Sequence, residues 1–314
     1  MKSFRYIFFV FVLIVLFDQM ISQSMNYLYE KTYVGQSGGK INHLLKDFKY
    51  ISVLSIGNSR CAHHIIPNKI NENAYNLSHN GMSLVFHTGL IDQLIMNENI
   101  KIDTLLLHIE MHEVFGEQFG LNKDVQHLKY YYDQNNWINS RIKELSRFEN
   151  LKYLFASYKW NGKVLNIINN RIKSNNQALL NDGYVPKLTT SRDSINVLWT
   201  YNKGLENDTS ILKSGINTDF IRYVEHIKEL CDRNSIKLIC FTSPVYNPLN
   251  NTVNRDVELE DYFKSKDISY FNYFHLYDSA KELRSVWVWN DNYHLNEDGA
   301  AIFTEIIRND LNDL

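Results

Sequence analysis

The chain is poor in cysteine, with Cys61, Cys231 and Cys240 as its three thiols, and it carries no excess of either charge. An odd number of cysteines at such spacings supports neither a disulfide framework nor a zinc site. Cys231 closes an apolar-patterned helix and Cys240 lies in an apolar run, so both read as small buried residues, with a bond between them as the alternative. The 33 basic and 35 acidic residues leave a formal charge of −2, which gives no electrostatic footprint for nucleic acid. Internal repeats and low-complexity tracts are missing too. With 314 residues, 44% of them apolar, the composition excludes disorder for most of the chain and allows a sizeable core.

Long apolar runs are scarce. The clearest is residues 6–17, preceded by Lys2 and Arg5. Twelve residues fall short of the about 20 that span a bilayer. The run extends through Met20, Ile21 and Met25 if the charge of Asp18 is tolerated. No small-x-small cleavage site follows, which favours an uncleaved signal anchor over residues 1–25. The basic end then stays in the cytoplasm and the catalytic domain lies outside the inner membrane. A secreted or periplasmic protein after signal cleavage is the alternative, and a buried N-terminal helix the bland one.

Residues 26–48 read as a juxtamembrane connector with a flexible point at Gln36-Ser37-Gly38-Gly39. From residue 49 to 314 the pattern is globular. Short runs rich in apolar residues at 51–56, 74–77, 103–109, 236–242 and 268–273 predict strands. Helical spacing separates them: Phe220, Val224, Ile227 and Cys231 share one face, as do Ala300, Phe303, Ile306 and Ile307. Alternation of this kind predicts an α/β, flavodoxin-like three-layer fold around a parallel sheet of about five strands. Residues 115–215 fit no simple crossover and are expected to be a helical insertion, with helices near 126–148 and 164–173 and a polar loop at Gly183-Tyr184-Val185-Pro186. Its aromatics, among them Tyr130, Tyr131, Tyr132 and Trp160, read as a local core, with a sugar-binding wall as the functional alternative.

Two constellations carry chemistry. Ile56-Gly57-Asn58-Ser59-Arg60 follows the first strand, at the carboxyl edge where open parallel sheets bind ligands. A serine opening a helix there has free backbone N–H groups beside it, which suits a nucleophile whose attack creates an oxyanion, although it is also a plain helix cap. The second is Asp291-Asn292-Tyr293-His294, just before the last helix. Three-residue spacing lets the carboxylate fold back onto the imidazole and fix its tautomer.

Together these strings resemble the SGNH/GDSL hydrolase superfamily. Leu54-Ser55-Ile56-Gly57-Asn58-Ser59-Arg60 matches its nucleophile block, with Asn58 where many members have aspartate. Asp291-Asn292-Tyr293-His294-Leu295-Asn296-Glu297-Asp298-Gly299-Ala300 matches its last block. The resemblance implies Ser59, His294 and Asp291 as a catalytic triad. It also implies an oxyanion hole made by the N–H groups of Ser59 and Gly81, the latter from Asn76-Leu77-Ser78-His79-Asn80-Gly81, with help from Asn80 or His112. The third block departs from the family: Ile109-Glu110-Met111-His112-Glu113 stands where Gly-x-Asn-Asp is usual.

What the likeness implies is a serine esterase or O-acyltransferase, with acetyl as the expected group, acting on a cell-envelope or exported polysaccharide without cofactor or metal. Its partners are then an acylated carbohydrate or small ester and the membrane. Two alternatives stand beside it. One is an inactive component of this fold that binds or assembles surface polysaccharide. The other is a metal-dependent hydrolase on His108, Glu110 and His112, which would share one face if they alternate along a strand. His63 and His64 are not needed by the triad, and Trp287 and Trp289 read either as core or as a sugar-stacking wall.

Overall fold

The computed structural model describes residues 2–36, 38–97, 99–116, 123–174, 181–188, 190, 195–199, 201–202, 215–247 and 253–314. Ser37 of the predicted connector, and the parts of the predicted insertion in the gaps between 117 and 214, lie outside them. In chain order the elements that matter below are α1 (Lys2–Glu30), α2 (Gly39–Asp47), β1 (Tyr50–Ile56), α3 (Ser59–His64), β2 (Ala74–Asn76), α4 (Leu84–Ile95), β3 (Lys101–His108) and α5 (Met111–Phe115). They continue with α6 (Asn136–Glu144), α7 (Glu149–Lys152), α8 (Val164–Lys173), α9 (Thr218–Arg233), β4 (Lys237–Thr242), α10 (Val253–Ser265), β5 (Ser269–Asn272) and α11 (Glu297–Asn312). They form two compact units, one of residues 1–47 with 122–180 and one of residues 48–121 with 181–314.

The larger unit is built on a five-stranded, all-parallel sheet in the order β2-β1-β3-β4-β5. Its central strands are buried: Ile51, Leu54, Ile56, Leu105, Leu106, Leu107, Ile239, Cys240 and Phe241 have almost no exposed surface. That is why they read as continuous apolar runs rather than as alternating ones. Helix α9 buries Phe220, Tyr223, Val224, Ile227 and Cys231, and α11 buries Ala300, Phe303, Thr304 and Ile307. Burial at this level stabilises by roughly 1.5–3 kcal/mol for each large apolar side chain. The expected parallel α/β fold is therefore present, with strand limits within about two residues of the sequence reading. The three thiols are free and buried, so no bond joins Cys231 to Cys240.

In this strand order the chain leaves β1 to one side for β2 and returns to the other for β3. Ligands in such sheets bind at that reversal, outside the carboxyl ends of the two diverging strands. Parallel pairing sets Ile56 beside Leu107. Gly57 therefore abuts His108 so closely that a Cβ on Gly57 would lie 2.4 Å from the His108 Cβ. A glycine is required there for β1 to turn away into α3.

The smaller unit is helical. Helix α1 has 29 residues, and its Ser3–Glu30 portion is long and apolar enough to cross a membrane, as suits an anchor or a signal sequence. From Asp18 onward one stripe, Asp18, Ser22, Met25 and Tyr29, is buried within the unit. Tyr29, Tyr130 and Trp160 pack ring on ring there, with centroids 4.0–5.6 Å apart. These insertion aromatics are a local core, as their sequence pattern favoured.

Candidate active site

Asn58 sets the turn that follows β1. Its extended backbone caps α3, its Oδ1 accepts from Arg60 N at 3.0 Å, and its Nδ2 donates to Glu110 Oε1 at 2.7 Å. An aspartate could not make that second bond, which gives a physical reason for asparagine at this position. Ser59, the next residue, is half-buried and opens α3.

The loop before α11 is held from both ends. A lone bridge pairs Trp289 with Leu295, Asn290 N donates to His294 O at 2.8 Å, and Asn296 N donates to Val288 O at 3.1 Å. Asn296 Oδ1 caps α11 through Asp298 N and Gly299 N, both at 3.1 Å. A Cβ on Gly299 would lie 2.1 Å from Val288 O, so the helix start and the loop approach closely. Within the loop Asp291 Oδ1 accepts from Tyr293 N and His294 N at 2.9 and 2.8 Å.

The structure brings Ser59, His294 and Asp291 into one hydrogen-bonded chain. Ser59 Oγ lies 2.9 Å from His294 Nε2, and His294 Nδ1 lies 2.9 Å from both Asp291 oxygens. Partial burial would raise the Asp291 pKa, but the His294 hydrogen bond and charge, with the two backbone N–H groups, outweigh burial and hold it below the ordinary value. An ionised carboxylate only accepts, so Nδ1 carries a proton toward it. Neutral His294 then presents a lone pair on Nε2 to the Ser59 hydroxyl.

His64 was set aside in the sequence reading, yet it holds this loop. It is fully buried, and its Nε2 accepts from Leu295 N at 3.0 Å, next to His294. Burial, reinforced by the Arg60 charge, pushes its pKa well below the usual histidine value, so it stays a neutral acceptor. Nothing in its local sequence signals this, because Leu295 is 231 residues away. His63 approaches His294 edge to face at 5.6 Å, and its Nδ1 donates to Val185 O at 2.6 Å in the Gly183–Pro186 loop.

The Asn80-Gly81 turn is placed beside the turn after β1 by His79 N, which donates to Gly57 O at 2.9 Å. Gly81 has φ +70° and open space where a Cβ would stand. His112 is 70% exposed on α5, with Nδ1 3.8 Å from Glu110 Oε2. The two tryptophans divide: Trp289 is in the core with its indole N–H donating to Leu283 O at 2.8 Å, and Trp287 is exposed.

The alternation of His108, Glu110 and His112 is not realised. Strand β3 ends at His108, Glu110 is the cap residue of α5, and His112 lies in that helix. His108 is buried and His112 exposed, and no cluster of metal-ligating side chains occurs among the described residues. Glu110 is instead occupied by Asn58 and by a buried ion pair with Arg60, Nη1 to Oε2 at 3.0 Å. The Arg60 guanidinium also donates to Ser243 O and Pro244 O, binding the ends of β1, β3 and β4 together. Burial would raise the Glu110 pKa, but Arg60, His108 and His112 and the Asn58 hydrogen bond reverse the shift and hold the carboxyl down at about 2.

No family model matches this chain, and no curated protein matches it. Among solved structures it is similar to the crystal structure of a "putative acylhydrolase" from Bacteroides fragilis NCTC 9343. Identity is 12%, coverage is 85% of this chain and 88% of that one, and the TM-score is 0.39. A likeness at that score carries no weight for function; the hydrogen-bonded Ser59, His294 and Asp291 stand on their own geometry.

Proposed function

We propose that this protein is a membrane-anchored serine hydrolase of the SGNH type, working as an esterase or O-acyltransferase on acylated carbohydrate. The observation that carries the reading is the relay from Ser59 Oγ through His294 to Asp291, 2.9 Å at each step, at the switch point of a parallel sheet. His294 takes the Ser59 proton as Oγ attacks the ester carbonyl, and Asp291 stabilises the imidazolium that forms. The N–H groups of Ser59 and Gly81 hold the oxyanion, with the Asn80 amide beside them; His112 joins by turning away from Glu110. Water or a sugar hydroxyl then resolves the acyl-enzyme. The polysaccharide substrate and the acetyl group rest on the SGNH resemblance. The anchor is α1, with Lys2 and Arg5 at its cytoplasmic end and the larger unit on the other side of the inner membrane.

The test is single-turnover hydrolysis of p-nitrophenyl acetate by the full-length chain in detergent, beside Ser59→Ala and His294→Ala. The parent is expected to show a stoichiometric burst that both variants lose. Equal background rates in all three, repeated with acetylated sugars, would replace the enzyme by a non-catalytic polysaccharide-binding component.

A further inference from the structure

Asp18 is the anomaly of α1, a carboxylate in an otherwise apolar stretch. The structure satisfies it internally. Asp18 Oδ2 accepts from Ala156 N at 2.7 Å, and Oδ1 accepts from Ser157 N at 3.0 Å and Ser157 Oγ at 2.5 Å. One turn on, Ser22 Oγ donates to Ala156 O at 3.1 Å. The segment 155–157 is thereby pinned to α1 at the level of residues 18–22, and its own backbone groups are satisfied by the helix.

That level lies inside any span α1 can make. Apart from Arg5, which lies one residue from the start, the residues from Phe4 to Phe17 are apolar and all but Val12 are exposed, and Met20 and Ile21 continue the exposed apolar surface past Asp18. Fourteen residues from Phe4 to Phe17 rise only about 21 Å, against a hydrocarbon thickness of about 30 Å. A span of about 20 residues beginning at Phe4 ends near residue 23, so Asp18 and the segment pinned to it sit roughly 7 Å below the membrane surface. Non-helical backbone is tolerated at such depth only where protein groups satisfy it, which is what Asp18 and Ser22 do.

The chain leading into that segment is suited to lipid. Phe148, Leu151, Leu154 and Phe155 are 50–77% exposed around the short helix α7. Phe155 faces Val10, Leu13, Ile14, Phe17 and Ile21 across an apolar groove of about 530 Å³ that is continuous with the outer surface of α1. Arg147 lies over the Phe148 ring, its guanidinium 5.9 Å from the centroid, a cation beside an apolar side chain as membrane interfaces favour.

We infer that residues 148–155 form a second membrane contact, a wedge that dips into the leaflet at the C-terminal end of α1, held there by Asp18 and with lipid acyl chains filling the groove between Phe155 and α1. This rests on α1 being embedded in a bilayer, and it turns a single-helix anchor into a two-point attachment that fixes the rotation of α1.

The test uses the full-length chain in phosphatidylcholine–phosphatidylglycerol vesicles. Leu154→Cys and Phe9→Cys are labelled separately with an environment-sensitive fluorophore, the three native thiols being buried and the unsubstituted chain giving the background. Spin-labelled phosphatidylcholine with its nitroxide near the headgroup end of the acyl chain is the quencher. Blue-shifted emission with loss of most intensity at both positions is the expected result. Quenching at residue 9 with water-like emission at residue 154 would overturn the wedge and leave the anchor standing. Blue-shifted but unquenched emission at 154 would overturn it too, because the segment would then be covered by protein. No quenching at either position would remove the anchor and the wedge together.

Discussion

The turn after β1 and the turn after β3 face each other at the switch point, and they satisfy their polar groups in different ways. After β1, and again before α11, the capping bonds are local. Asn58 Oδ1 caps the second residue on, Asp291 Oδ1 takes the N–H groups two and three residues on, and Asn296 does the same for α11. After β3 no side chain caps α5. Glu110 reaches back 50 and 52 residues to Arg60 and Asn58, and Arg60 reaches forward 183 residues to Ser243. Local bonding shapes the groups proposed to react, while remote bonding fixes the frame on which they stand. Damage to the first should strike activity with the fold intact, and damage to the second should strike stability first.

The sharpest break of that comparison is Asp291→Asn. It keeps the loop's shape and removes the acceptor that selects the His294 tautomer, so kcat should fall by about 10⁴, equivalent to about 5.5 kcal/mol of barrier. Thermal melting should stay close to the parent. Acyl-enzyme formation within tenfold of the parent would show that the Asp291–His294 contact is structural only.

Next in size is Glu110→Ala. It strands the buried Arg60 guanidinium, and removing one partner of such a pair destabilises by about 3–5 kcal/mol. Glu110→Gln should lose less, because its single amide oxygen still accepts from one of the two donors, Asn58 or Arg60. Urea unfolding of the two variants would measure this; a loss under about 1 kcal/mol in Glu110→Ala would rank the pair with exposed salt bridges.

His64→Leu is expected to be milder. The Leu295 N–H loses its buried acceptor, at a cost of about 1–3 kcal/mol, and the His294 loop loosens with it. It therefore tests both sides of the comparison in one variant, because a remote bond there supports a local motif. A melting temperature lowered together with the burst rate is expected. A burst rate unchanged despite the lower melting temperature would confine His64 to the frame.

What was legible in the sequence follows the same division. The five strands and the inward faces of α9 and α11 come from rules that act within a few residues, buried runs and helical spacing, while Ser59, Asp291 and His294 are singled out together by the SGNH resemblance of their two strings. His108, Glu110 and His112 look like one face of a strand only if β3 continues, and α5 begins at Met111 instead. The partners of Glu110, His64 and Asp18 lie 50 to 231 residues away, and no local pattern announces them. Asp18 reads as a penalty in α1 until Ala156 and Ser157 are seen to bind it. Asn58 reads as a departure from the nucleophile block until its amide is seen to donate to Glu110.

The smallest effect per residue separates the two turns by pH. His64 and His108 are both fully buried and pushed below the ordinary 6.5 chiefly by burial, with Arg60 adding to the shift; at His108 the Glu110 charge opposes it and the pKa settles at about 3. In the unfolded chain both histidines take up protons below 6.5, and in the folded one they do not. Stability must therefore fall as pH drops below 6.5, by about 1.4 kcal/mol per pH unit for each histidine. Glu110 acts in a lower window. Its carboxyl, held at about 2, contributes stability that is complete above the ordinary 4.5 and disappears as pH falls toward 2. Urea midpoints taken between pH 6.5 and 4.5 isolate the histidines, and the slope should shrink by one proton in His108→Leu while Glu110→Gln leaves most of it. A slope in His108→Leu as steep as the parent's would mean that His108 is protonated in the fold. The Glu110 charge would then outweigh burial, and His108 would join Arg60 as a second cation of the frame beneath Ser59.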